Sequence, residues 1–161
     1  MRLALAFLAA CTPYSISGPT SPPPLAASAD AGTICVIRSS PFAREVTFIV
    51  HDNQTLVGAT KGDSYFCYEA EPGEHVIVSD TFDSVDHPGR TTVVVEAGAR
   101  YWLRQDHSNS WGSVTSILDW VDPQTASSLV ASCAYKRVTE VPGHEAVPPP
   151  VPFAPALVAS R

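Results

Sequence analysis

Thr91–Gln105, TTVVVEAGARYWLRQ, decides the fold class. Thr91–Glu96 is strongly β-branched, and such side chains favour extended backbone. Ala97-Gly98-Ala99 turns the chain into a second extended run, Tyr101–Gln105. The same rhythm of short strand and turn recurs on both sides, which is the pattern of a sandwich or barrel.

Upstream the expected strands are Thr33–Arg38 (TICVIR), Glu45–His51, Thr55–Ala59, Ser64–Glu69 and His75–Asp80. Asp52-Asn53-Gln54 and Lys61-Gly62-Asp63 provide turns between them. Pro72-Gly73 suits a type II turn, so Ser64–Glu69 and His75–Asp80 read as a hairpin. Residues 81–90 form a polar loop. Downstream, Asp106–Ser110 reads as a loop and Trp111–Trp120 as a strand. Asp122-Pro123 reads as an N-cap followed by Pro at the first helical position, opening a helix over Gln124–Cys133. The expectation is an all-β fold: a single β-sandwich of about eight strands with one short C-terminal helix, spanning residues 32–140.

The flanks differ in composition. Residues 1–10 carry one basic residue, Arg2, and an apolar run, Leu3 to Ala10. With small residues ahead of Cys11 they read as a secretory signal. Leu8-Ala9-Ala10-Cys11 looks like the lipobox of bacterial lipoproteins, which implies acylation of Cys11 and cleavage before it. The run is too short to span a bilayer, which takes about 20 apolar residues. Membrane attachment is therefore expected through lipid on Cys11. Thr12 rather than Asp follows the cysteine, which points to the outer membrane of a two-membrane envelope, facing the periplasm. Residues 11–31 are rich in Pro, Ser and Ala and read as a linker reaching roughly 60 Å when extended. Residues 141–161 repeat that character, with Pro148-Pro149-Pro150 at their centre, and read as a disordered tail.

The net charge is −6; without residues 1–10 the chain keeps 9 basic against 16 acidic residues, a net −7. That argues against nucleic acid and anionic lipid surfaces as partners. The sequence names no particular partner; the envelope location leaves an envelope protein or a glycan open.

Several motifs resemble bacterial lipoproteins with domain of unknown function 2846. They are Val36-Ile37-Arg38-Ser39-Ser40-Pro41, Gly62–Phe66, Glu71-Pro72-Gly73-Glu74-His75, Val95-Glu96-Ala97-Gly98 leading to Tyr101-Trp102-Leu103-Arg104, and Cys133 after a short helix. The resemblance covers roughly residues 32–137. It implies a mostly-β envelope domain and carries no activity with it.

Candidate chemistry is sparse. Gly62-Asp63-Ser64 resembles the nucleophile block of GDS-type lipases and esterases. Ser64, however, opens a strand, and the Asp-x-x-His that those enzymes place late in the chain is missing. The chain is therefore read as non-enzymatic, with a serine hydrolase using Ser64 as the weaker alternative. His51, His75, His87, His107 and His144 have no metal-ligand spacing. Asp80, Asp83, Asp86 and His87 read as a solvated acidic loop, so no metal or other cofactor is expected. His75 is read as packing beside the Pro72-Gly73 turn. Among the tryptophans, Trp120 shares a face with Val114 and Leu118 and reads as core. Trp102 is expected to be exposed and, with Trp111, to form a possible carbohydrate or peptidoglycan patch.

Export implies an oxidising compartment, where thiols pair. With Cys11 taken by lipid, Cys35, Cys67 and Cys133 allow one intrachain bond. Cys67–Cys133 is expected, because it would fasten the helix to the sheet and close a loop of about 67 residues. Cys35–Cys133 is the alternative.

Overall fold

A computed structural model describes residues 15–18, 20–22, 29–40, 42–81, 88–110 and 113–140. The strands in chain order are β1 (Ser15–Ile16), β2 (Gly32–Arg38), β3 (Thr47–Asp52), β4 (Thr55–Lys61), β5 (Ser64–Ala70) and β6 (Gly73–Thr81). They continue with β7 (Gly89–Val95), β8 (Arg100–Ser110) and β9 (Ser113–Val121). Helix α1 (Pro123–Val130) precedes β10 (Ala134–Tyr135) and β11 (Val138–Glu140). The all-β sandwich with one short helix is thus the observed architecture. β1, β10 and β11 are additional to the strands read from the sequence.

One sheet has five strands in the order β10-β5-β2-β8-β9, the other four in the order β4-β3-β6-β7. Between them lies the main core of Ile34, Val36, Val50, Phe66, Tyr68, Ile77, Val95 and Leu103. Trp120 packs against this core, as its alternation with Leu118 requires. A second cluster on the outer face of the five-stranded sheet joins Cys35, Ile37, Tyr65 and Cys67 to Ala126 of α1. Both faces of β2 are therefore covered, and every one of its residues is buried. This explains why TICVIR is nearly continuously apolar rather than alternating. β2 lies antiparallel to β5 and parallel to β8.

A short β1–β11 ribbon forms a third layer. Ile16 and Val138 pack on Ile49, Leu56 and Ala59, the outward residues of the four-stranded sheet. The Ser17 amide donates to the Arg137 carbonyl at 2.8 Å, and the Thr20 amide to the Tyr135 carbonyl at 3.1 Å. This corrects the linker reading of residues 11–31 at the described positions: Ser15, Ile16, Ser17 and Thr20 are bound to the fold. The sequence hides this because two paired residues carry no periodic pattern.

The hairpin expected at Pro72-Gly73 is also corrected. β5 and β6 belong to different sheets, so this turn is a crossover. Gly73 sits at φ 142°, a conformation that costs a residue without Cβ nothing. His75, read as packing beside a hairpin turn, instead ties down this crossover: its Nε2 donates to the Glu71 carbonyl at 2.7 Å, and its Nδ1 lies 2.7 Å from Asp52 Oδ2. The hydroxyl of Tyr68 donates to the same carboxylate oxygen at 3.1 Å.

The cysteine pairing differs from expectation. Cys35 and Cys67 face each other across β2 and β5 and form the disulfide, with Cα atoms 4.0 Å apart. Cys133 is free. It precedes Ala134, which is level with Ser64, and Ser64 is level with Arg38. That is three register positions from Cys67, roughly 10 Å along the strand. A Cα separation of that size exceeds the ~7 Å a bridge allows. The Cys133 thiol donates instead to the Arg38 carbonyl at 3.2 Å, and burial pushes its pKa up. The helix is fastened by packing and by its cap: Asp122 Oδ1 accepts from the Gln124 and Thr125 amides. It ends at Val130, short of the expected Cys133.

Candidate functional site

Asp106–Ser110, expected as a loop, is the second half of β8. Its polar residues have little strand preference of their own. β9 holds them extended through pairs running from Trp102↔Val121 to Ser110↔Ser113. β2 stops much earlier, its last pair with β8 being Ile37↔Arg104. A notch opens where β2 ends and β8 continues.

The notch is a cavity of about 300 Å³, lined by Ser39, Ser40, Phe42, Arg104, Gln105, Asp106 and His107. Arg38, the last residue of β2, shapes its rim. The Arg38 side chain is fully buried, with its guanidinium 4.5 Å from the centroid of the Phe48 ring. It donates to the carbonyls of Val46 (2.7 Å), Phe42 (3.4 Å) and Ala43. These bonds hold a tight loop in which Ala43 has φ 51°, unfavourable for a residue with a Cβ. That loop carries Phe42, which is 69% exposed, to within 6.4 Å of the His107 ring. Burial lowers the Arg38 pKa to about 10, against the opposing pull of the Asp106 charge. The guanidinium stays charged at neutral pH.

Leu103, Gln105 and His107 alternate along β8 towards the space between the sheets. Leu103 meets the apolar core. Gln105, 1% exposed, accepts from the Thr60 hydroxyl and donates to Ser79 Oγ at 2.5 Å, joining the two sheets by a buried polar bridge. His107 ends the row at the mouth of the notch. Ser40 Oγ lies 3.4 Å from its Nδ1. Asp106 Oδ1 is 3.6 Å from that same Nδ1 and accepts the His107 backbone amide at 2.8 Å.

Ser40, His107 and Asp106 are not arranged as a nucleophile, base and orienter in series. A serine nucleophile needs one imidazole nitrogen, with the orienting carboxylate on the other. Here Ser40 and Asp106 crowd the same nitrogen. Ser64 is fully buried in β5, and its Oγ accepts the Lys61 amide at 3.0 Å, a turn-closing role.

Trp102 corrects the expectation of an exposed ring. It is half-buried against the cluster beneath α1, with the Arg100 guanidinium 5.8 Å from its centroid. It sits at the start of β8, which runs eight residues further, roughly 27 Å, to Ser110. Trp111 lies outside the described residues, as do Cys11, Asp83, Asp86, His87, His144 and residues 141–161. Asp80 is in β6, paired with Ile49. Among the described residues no group of three His, Cys, Asp or Glu side chains is placed to hold a metal ion, and no helix is long and apolar enough to cross a membrane.

The sequence reading missed Ser40, Phe42, Asp106 and His107 as site residues. One signal was present: His107 continues the inward alternation of Leu103 and Gln105. Reading Asp106–Ser110 as a loop concealed it. No protein-family model matches the chain, and no curated protein is significantly similar to it, so the resemblance read from motif order finds no counterpart there.

Proposed function

We propose that this chain is a non-enzymatic binding module of the bacterial cell envelope, held to the membrane by lipid on Cys11 and facing the periplasm from the outer membrane. The observation that carries the location is the Cys35–Cys67 disulfide in the middle of the fold. Structural disulfides belong to oxidising compartments, and a reducing cytosol would keep these thiols apart. The observation that supports binding is the notch, whose hydroxyls, imidazole, carboxylate and exposed Phe42 converge without a nucleophile–base–orienter chain.

The β1–β11 ribbon changes how the tether works. Four residue steps lead from Cys11 to Ser15, a reach of at most about 14 Å. On this reading the domain rides close to the bilayer instead of at the end of a ~60 Å spacer. One acyl chain gives marginal anchoring and two or more make it stable, so a fully acylated Cys11 is expected.

Fractionation tests the proposal. The unaltered chain should pellet with membranes and incorporate a clickable fatty acid, while Cys11→Ser should do neither. A chain found in the cytosol, unlabelled and with Cys35 and Cys67 as thiols, would refute it.

A further inference from the structure

We propose that the notch takes an extended peptide, which joins the five-stranded sheet as an added strand beside β8 where β2 leaves it. The proposal rests on the binding-module reading and names its ligand class.

The argument begins with unequal strand lengths. β9 accompanies β8 to Ser110, whereas β2 accompanies it only to Arg104. Past Gln105 β8 is paired with β9 alone, and among the described residues no other backbone bonds to it there. Alternate residues of a strand address alternate neighbours. The His107 amide donates to Asp106 Oδ1 rather than to β9. His107 and, two residues on, Asn109 therefore turn their amides and carbonyls towards the open side.

A free strand edge invites pairing, and proteins usually guard it. Here the His107 amide is capped by the Asp106 carboxylate, and Ser40 Oγ lies 3.4 Å from the His107 ring beside it. An incoming peptide carbonyl can replace that carboxylate. The cavity lies between Ser39-Ser40, which follow β2, and Arg104–His107 of β8, and exposed Phe42 in its lining offers an apolar contact for a peptide side chain. Donors and acceptors two residues apart along a strand repeat at about 6.7 Å. An extended peptide matches that repeat, which is the basis of recognition by strand addition.

The experiment uses the ¹⁵N-labelled full chain and a neutral probe, acetyl-Val-Thr-Val-Thr-Val-Thr amide, at about 1 mM, a concentration suited to weak binding. Hydrogen exchange at the His107 and Asn109 amides should slow roughly tenfold as they become paired. Asp106→Ala should bind the probe several-fold more tightly, because it frees the edge amide. The same peptide N-methylated at every residue should not bind. Unchanged exchange at both amides, or equal binding of the N-methylated peptide to the unaltered chain, would overturn the proposal. Neither result touches the lipid anchor, which the fractionation experiment tests separately.

Discussion

At the scale of single residues, two buried polar groups govern stability. Arg38 satisfies the carbonyls of the 42–46 loop and, among the described residues, meets no carboxylate directly. Arg38→Ala would strand those carbonyls and open a cavity beside Phe48. A loss of about 3 kcal/mol is expected in urea unfolding, given the worth of charged hydrogen bonds. The notch should be lost with it, because Phe42 would no longer be held. Tyr68 behaves differently. Burial and then the Asp52 charge push its phenol far above the ordinary value of 10.0. Tyr65 and Tyr135 are raised as well, by burial first. Above pH 10 the unfolded chain releases these protons and the folded chain keeps them. The folded state then binds more protons, so stability must fall as pH rises beyond 10. Tyr68→Phe should cost about 1 kcal/mol at pH 7 through the lost bond to Asp52. It should also flatten the alkaline decline in thermal unfolding. An unaltered decline would show that Tyr68 is not among its sources.

At the scale of elements, the disulfide is the strongest single fastening. It closes a loop of sequence separation 32, worth roughly 4 kcal/mol in the chain-entropy model. The Cys35→Ala, Cys67→Ala double variant should lose about that much, while Cys133→Ala should lose far less. α1 depends on its cap: hydrogen bonds from Thr125 hold the Asp122 carboxyl below its usual range. Asp122→Ala should lower the melting temperature seen by circular dichroism. The strands and the cap were legible because they are local: β-branched runs, Asp-Pro before a helix, Gly at turns. Sheet membership was not, because it depends on partners distant in sequence. Nothing in SYFCYE or HVIVSD announces that the two runs part at Pro72-Gly73. The disulfide failed for the same reason, since it follows from the β2–β5 register. The polar end of β8 was hidden because β9, not its own residues, keeps it extended.

At the scale of the whole molecule, a strand buried on both faces sits at the centre, and three layers build outward from it. The β1–β11 ribbon clamps the N-terminal segment to the last strand. Removing residues 12–22 should therefore destabilise the domain and expose Ile49 and Leu56. A free spacer would be removable without effect on unfolding. The central claim is that this fold is an exported, lipid-tethered, disulfide-bonded binding module. Intact-mass analysis with non-reducing peptide mapping of protein recovered from membranes tests it most directly. The account predicts a chain beginning at an acylated Cys11, with Cys35 crosslinked to Cys67 and Cys133 free. A chain retaining residues 1–10, without lipid and with Cys35 and Cys67 unlinked, would contradict it.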